Sequence, residues 1–323
     1  MTHAVEKIPV LVIHAHSRCN CRCVMCDIWK TTESREFSLE QLQSQMGAIE
    51  RLGVEWVVFS GGEPLMHSDL FALTRVLRAS GVRVTILSTG LLFSRFAREI
   101  AESIDDAIVS LDGPPAIHET IRRSPGGFGL MREGISAIHA LRSEFRVTAR
   151  CTVQKANHAE LAATVDAARE IGLLSISFLA ADLGSAAFGR GMVWPRPLQD
   201  EIALTPREIG VLEVQIEELL SMGGFVTDTP RHLRRIVRHF RAHLGLEEFE
   251  APRCNAPWVS AVIETDGSVR PCFFHPVFTT TNSAELDAGL NSSAARKFRE
   301  SLDIASNPIC RTCVCSLYLP QTV

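Results

Sequence analysis

The sequence predicts an α/β protein: a partial (β/α)6 TIM-like barrel followed by a small cysteine-rich α+β domain. Three observations point there. Six apolar, β-rich runs alternate with helix-spaced runs as far as residue 180, the rhythm breaks after that, and the cysteines gather at the two ends of the chain.

Residues 9–16, 54–60, 82–89, 107–111, 145–153 and 174–180 are rich in Val, Ile, Leu and Phe, as strands buried on both faces are. Between them, 38–52, 69–80, 94–103, 128–143 and 158–172 repeat apolar residues at helical spacing. Ser38 stands where an N-cap belongs, and Gly53, Gly81 and Gly172 stand where helices end. Strand–helix repeats build a parallel sheet with helices outside it. Six units fall short of the eight that close a barrel, so the sheet is expected to stay open.

Residues 182–205 carry Gly184, Gly189, Gly191, Pro195 and Pro197 without a period, and read as a lid or connector at the end of the last barrel strand. Helical runs at 206–222 and 230–246 follow. Beyond Arg253, residues 259–264 and 268–272 flank an Asp266-Gly267 turn, a hairpin signal. We therefore expect a barrel domain over 1–225, with 182–205 as its connector, and a second domain over 226–323.

A chain of 323 residues with 46% hydrophobic and 22% charged residues can bury a sizeable core. Its net charge of −4 gives no reason to expect a nucleic-acid partner. No apolar run approaches the ~20 residues that span a bilayer, and the mixed charges between Met1 and Lys7 do not read as a secretion signal. A cytoplasmic protein without a membrane partner is the expectation. Ten cysteines in such a chain are ligands or catalysts rather than disulfides.

Cys19, Cys23 and Cys26 form C-x3-C-x2-C directly after the first strand. Three thiolates on a short loop can each take one iron of a cubane and leave the fourth iron without a protein ligand. A zinc knuckle that recruits Cys21 is the competing reading. After the second strand comes Ser60-Gly61-Gly62-Glu63-Pro64. Its glycines let backbone approach a ligand closely, and Glu63 can accept a hydrogen bond from an ammonium group.

In these two motifs the chain resembles the radical S-adenosylmethionine (SAM) superfamily, over the first two-thirds of its length. The resemblance implies a 4Fe–4S cluster on Cys19, Cys23 and Cys26 whose open iron chelates S-adenosylmethionine. It also implies that Gly61, Gly62, Glu63 and Pro64 meet that cofactor. Ser88, Ser110 and Asp112, at the ends of the third and fourth strands, line its ribose and methionine pocket, and Arg150 on the fifth reaches its carboxylate or adenine side. Met25 stands where the family usually has an aromatic residue, so weaker stacking is expected. The implied chemistry is reductive cleavage to a 5′-deoxyadenosyl radical that takes hydrogen from a substrate. A flavodoxin or ferredoxin would donate the electron.

The second group runs Cys254, Gly267, Cys272, then Cys310-Arg311-Thr312-Cys313-Val314-Cys315. A zinc ribbon is the plain alternative. Behind such a barrel the pattern resembles the twitch domain, the short form of the SPASM domain. That implies one auxiliary 4Fe–4S cluster on Cys254, Cys272, Cys310 and Cys313, with the sequence leaving open whether Cys315 replaces Cys313. Cys21 and Cys151 read as small buried residues. A fully ligated auxiliary cluster accepts electrons, so the expected reaction is a net oxidation or rearrangement of a small molecule. A peptide maturase, and a non-enzymatic zinc or iron–sulfur protein, are the alternatives. The basic run 231–239 reads as a solvated helix face, with recognition of an anionic substrate behind it. Arg122 and Arg123 read as solvent-facing, and His16 as a hydrogen-bonded core residue or one facing the cavity.

Overall fold

In the computed structural model, which describes residues 4–320, parallel strands succeed one another in chain order. They are β1 (Val10–His16), β2 (Trp56–Gly61), β3 (Arg83–Ser88), β4 (Asp106–Ser110), β5 (Arg146–Val153) and β6 (Ile176–Ala180). The crossovers carry α1 (Leu39–Arg51), α2 (Leu70–Ala79), α3 (Ala97–Ser103), α4 (Pro115–Arg122) with α5 (Gly127–Leu141), and α6 (Leu161–Glu170). The first residues of the Met1–Lys7 segment lie outside the described residues.

Alternation along the strands separates two faces. On β1, Leu11, Ile13 and Ala15 are fully buried, whereas Val12 and His14 are only half-buried. The first set lies under the helices and the second lines the lumen of an open barrel. Helix α1 shows how the outer layer is fixed: Ser38 accepts from Gln41 N and the Gln41 side chain answers from the Ser38 N–H, so both free donors are satisfied. Its inner side buries Leu42, Gln45, Ala48 and Ile49. At the floor of the lumen Trp56 Nε1 donates to Thr85 Oγ1 at 2.8 Å, Thr85 Oγ1 to Asp106 at 2.8 Å, and Arg83 Nε to Asp106 at 2.8 Å.

After β6 the chain forms α7 (Arg196–Asp200), α8 (Pro206–Ser221), α9 (Pro230–His243) and α10 (Ala256–Val259), then β7 (Ser260–Ile263), β8 (Ser268–Arg270) and β9 (Thr279–Thr280). Helices α11 (Leu286–Leu290), α12 (Ser293–Ser301) and α13 (Pro308–Thr312) complete the described chain. The hairpin turns at Gly267, whose φ of +84° suits glycine. It does not stand apart from the barrel. β7 pairs in parallel with β1 from Val10↔Ser260 to Ile13↔Ile263, giving one sheet ordered β6-β5-β4-β3-β2-β1-β7-β8-β9. The reason is physical: an open barrel leaves β1 with an unpaired edge, and the four buried residues of β7 cover it.

Helix α9 packs against β6 and α8, and four of its five arginines are matched by acids: Arg231 and Arg238 with Glu250, Arg234 with Glu217, Arg241 with Glu213 and Glu247, while Arg235 donates to the carbonyls of Glu250 and Cys313. The basic face is thus neutralised within the chain. Among the described residues no helix is long and apolar enough to cross a membrane.

Gln45 ties α1 to the C-terminal region: buried, it accepts from Leu286 N at 2.8 Å and donates to Thr281 O at 3.2 Å. Gln45→Ala strands both backbone groups, and the expected loss is about 2 kcal/mol or more, read as a lower denaturant midpoint.

Candidate metal centre

Residues 17–26 follow β1 without regular structure, so their shape is borrowed from neighbours. The last turn of α4 accepts two bonds, Arg22 N to Arg122 O at 3.1 Å and Val24 N to Ile121 O at 3.0 Å. From the other side Gly62 N donates to His16 O and Glu63 N to Arg18 O, each at 2.9 Å. The approach is so close that a Cβ on Gly62 would lie 1.9 Å from Arg18 O. Only glycine fits there.

This packing gathers Cys19, Cys21, Cys23 and Cys26. Burial pushes the Cys19 thiol up to about 12, with the Glu63 charge adding to it, and burial pushes Cys26 up to about 11. Cys23 moves the other way, to about 6, through the hydrogen bond from Cys21 and the charge of Arg122; the same Cys21–Cys23 bond raises Cys21. The sulfurs also accept backbone donors, Ile28 N at 3.4 Å on Cys26 and the Cys21 N–H on Cys19. Burial disfavours the ionised form of Cys19 and Cys26 until a metal takes up the charge, whereas the Cys21 bond and Arg122 favour it at Cys23, and N–H···S bonds are what tune an iron–sulfur cluster. A cubane takes each thiol on a different iron, and the enclosed free thiols of Cys19, Cys23 and Cys26 are the donors it would need.

Glu63 is fully buried, with Oε1 accepting from Ser88 Oγ at 2.8 Å and Leu65 N at 3.1 Å, and Oε2 from Thr89 N at 2.7 Å. Burial pushes its pKa up against those bonds, and among the described residues it has no cation partner. An enclosed carboxylate of this kind is complementary to a ligand cation. Ser88 therefore serves Glu63 directly, and Pro64 starts the short turn Pro64–Met66 that Glu63 caps.

Asp112 is also fully buried, but both its oxygens are committed: Oδ2 to Arg122 Nε at 2.6 Å and Oδ1 to Thr152 N at 2.7 Å. Arg122 corrects the sequence reading. It is buried rather than solvent-facing, because its guanidinium joins Asp112 to Cys23, donating to that sulfur at 3.5 Å; Arg123 alone is exposed, in the left-handed conformation that ends α4. Ser110, Arg150 and Ser177 are opposite one another on β4, β5 and β6, with Arg150 Nε 3.5 Å from Ser177 Oγ, so they share the lumen face. His16 is a core residue, 3% exposed and bonded to the Arg18 backbone.

The 182–205 connector closes over the cysteine loop. Arg190 NH2 donates to Met25 O at 2.8 Å and its NH1 to Asp182 at 2.6 Å, while its guanidinium stacks 4.1 Å from the Trp194 ring. Phe188 O accepts from Asp27 N at 2.9 Å, and Trp194 Nε1 donates to Asp27 at 2.8 Å. Gly189 is required, since a Cβ there would meet Ile28 N at 2.6 Å.

The C-terminal thiols form a second group. Burial pushes Cys310 up to about 12, with Cys272 and Cys254 adding to it, and burial raises Cys313 and Cys272 as well. Cys254 accepts from Ala256 N at 3.5 Å, and Cys272 from the N–H groups of Phe274 and His275. His275, missed in the sequence, places Nε2 3.3 Å from Cys310 Sγ. Burial pushes Cys315 up to about 11, and Arg150 is the strongest charge acting on it, followed by Asp182. Cys315 is partly buried against the core. Cys21 and Cys151 are buried. Arg122, Arg190 and His275 carry no local signal, because each acts through a contact distant in the chain.

Two outcomes follow from this geometry. Gly62→Ala displaces the Cys19 loop, so iron bound on reconstitution falls by at least a third while the far-UV spectrum is kept. Arg122→Leu leaves Asp112 buried without its cation and costs about 3 kcal/mol or more, read from the denaturant midpoint.

Comparison with known proteins agrees with the geometry. The Radical SAM superfamily model matches residues 13–173, and the SPASM model, an iron–sulfur cluster-binding domain, matches residues 254–314. Fe-coproporphyrin III synthase of Methanosarcina barkeri is 32% identical over 178 residues, 54% of this chain and 44% of that protein. The antilisterial bacteriocin subtilosin biosynthesis protein AlbA of Bacillus subtilis is 24% identical over 264 residues, 80% of this chain and 53% of its own. The chain spans about half the length of the curated relatives it matches. Streptococcus suis SuiB bound to precursor peptide SuiA has the same fold, with a TM-score of 0.67 at 15% identity over 98% of this chain and 73% of that one. For anSMEcpe with bound AdoMet and the Cp18Cys peptide the TM-score is 0.64 at 16% identity, over 90% and 82%. The chain belongs to the radical SAM superfamily and carries a SPASM iron–sulfur domain at its C-terminal end.

Proposed function

We propose that this protein oxidises a substrate by radical chemistry initiated at the N-terminal cysteines, with the C-terminal cysteine group as electron acceptor. The observation that carries the reading is the placement of the two groups around one lumen. Cys19, Cys23 and Cys26 follow β1 on a loop packed against the end of β2, and Cys272 follows β8 in the sheet that β7 joins to β1. When bound, the 4Fe–4S cluster and S-adenosylmethionine supply reductive cleavage to methionine and a 5′-deoxyadenosyl radical, which abstracts hydrogen from the substrate.

The chain's own residues bind and enclose. Cys19, Cys23 and Cys26 hold the cluster, and Glu63 offers its buried carboxylate to the cofactor's cationic end, braced by Ser88. Gly61 and Gly62 allow the backbone to approach, while Met25 supplies an apolar surface whose carbonyl Arg190 fixes. Ser110 and Arg150 present polar groups in the lumen, and Asp112 acts through Arg122 on Cys23. Cys254, Cys272, Cys310 and Cys313 hold the acceptor cluster. In this reading residues 1–225 initiate and 226–323 receive the electron, in the cytoplasm, with a flavodoxin or ferredoxin as donor.

The substrate is a small molecule in the first instance. A peptide is the second reading, supported by the likeness to AlbA over 80% of the chain and by the fold shared with peptide-bound SuiB.

Anaerobic reconstitution tests the proposal. About eight irons with matching sulfide per chain are expected for two cubanes, and dithionite with S-adenosylmethionine releases 5′-deoxyadenosine. A Cys23→Ala variant loses that release, whereas Cys272→Ala retains it and loses about four irons. Zinc without sulfide, or no 5′-deoxyadenosine from a fully loaded sample, overturns the reading.

A further inference from the structure

Of the five arginines on α9, the one without an acid partner is the one beside the C-terminal cysteines. Arg231, Arg234, Arg238 and Arg241 each pair with a glutamate. Arg235 is half-buried and, among the described residues, forms no salt bridge; its guanidinium donates to Glu250 O at 3.1 Å and to Cys313 O. Burial pushes its pKa down, and the strongest charge acting against that is Cys313, ahead of Glu250, Cys315 and Cys254. The neighbouring cations differ. Arg270 pairs with Glu264, itself 2.6 Å from His14 Nδ1, Arg311 pairs with Glu248, and the exposed Arg253 stacks on Tyr318. A guanidinium withdrawn from water is costly unless an anion meets it. The anion that Arg235 has at hand is the ionised cysteine group.

A second donor reaches that group. His275 is 3% exposed, its carbonyl accepts from Arg270 NH1 at 3.1 Å, and its ring meets Phe298 edge-on with centroids 4.9 Å apart. The imidazole so held has Nε2 3.3 Å from Cys310 Sγ. A sulfur bound to iron carries no proton, so in that state the contact holds only as Nε2–H donating to sulfur. The free thiols of Cys254, Cys272, Cys310 and Cys313 supply the four donors a cubane takes. Such a cluster is an anion, and it gains one further negative charge when an electron enters. A buried cation and an N–H on its sulfurs therefore favour the reduced state over the oxidised one.

We propose that Arg235 and His275 are positioning residues for the electron acceptor, and that the cation of one and the N–H of the other raise the reduction potential of a cluster on Cys254, Cys272, Cys310 and Cys313. The inference rests on the radical oxidation proposed above and adds which side chains make the acceptor accept. One electron leaves the substrate radical and enters the cluster. No bond forms or breaks at Arg235 or His275, and both keep their protons.

The test is a redox titration of the reconstituted full chain followed by electron paramagnetic resonance. The signal that S-adenosylmethionine reshapes belongs to the N-terminal cluster, and the signal it leaves alone belongs to the C-terminal one. At a fixed potential, Arg235→Met is expected to cut the reduced-to-oxidised ratio of the second signal about tenfold, ~59 mV for a one-electron couple. Arg235→Lys keeps the charge and holds that ratio within about twofold, and His275→Leu lowers it severalfold. An Arg235→Met chain that fails to load does not shelter the proposal, because the unaltered chain is read as well. With 15N-labelled histidine, its second signal is expected to show the weak nitrogen coupling of a hydrogen-bonded ring. No coupling, or coupling as strong as that of an iron-bound nitrogen, overturns the proposal. So does a loaded Arg235→Met chain whose midpoint is unmoved, or an Arg235→Lys midpoint that falls as far as that of Arg235→Met. A chain that loads only about four irons refutes the two-cluster reading and this assignment with it, whereas two clusters with unmoved midpoints refute the assignment alone.

Discussion

In the reading proposed above, three thiols have to be held within reach of one inorganic cluster by a loop that forms no helix and no strand. A loop free in water would point those thiols in many directions, and burying them to fix the directions disfavours the ionised form that binds metal. The fold meets both demands by closing the loop from three sides. The end of α4 accepts its backbone donors, the Gly61-Gly62 strand end comes within van der Waals limits of Arg18, and the connector locks Met25 and Asp27 through Arg190 and Phe188. Arg122 then contributes a cation beside Cys23 without opening the site to water. The buried Asp112–Arg122 pair is a support for the cluster loop as well as a structural link between β4, β5 and α4.

The openness of the barrel is the second constraint. A closed barrel has no free edge, and its two cysteine groups could not flank one lumen in this way. The chain covers the β6 and β1 edges differently: at β6 the segment 225–227 bridges Ile176 in parallel. α9 packs against β6, and β7 extends the sheet at β1. The cysteine-rich region is therefore fastened to the barrel by main-chain hydrogen bonds, by Gln45 and by the His14–Glu264 contact. Such fastening suits electron transfer, which needs a fixed separation more than it needs motion.

Much of the barrel was legible because its signals are local. Buried parallel strands are apolar throughout, Ser38 marks a helix start, and glycines mark the ends. The cysteine spacing and the Gly-Gly-Glu-Pro run were legible for the same reason. What escaped depends on contacts between distant segments. An arginine in a helical turn reads as exposed, and Arg122 is buried only because β4 places Asp112 beneath it. The helix that carries it begins at Pro115, which sits in the first turn, where its missing N–H costs nothing. The pairing of β7 with β1 joins residues 250 positions apart, and with it the His14–Glu264 contact. No periodicity encodes that neighbour.

The central claim is that the three-cysteine loop holds a cluster with one iron open to S-adenosylmethionine. Electron–nuclear double resonance on the dithionite-reduced chain, with S-adenosylmethionine labelled with 15N in its amino group and 17O in its carboxylate, tests it most directly. The account predicts hyperfine coupling of both nuclei to the reduced N-terminal cluster. A reduced cluster whose spectrum carries neither coupling at saturating cofactor would contradict it.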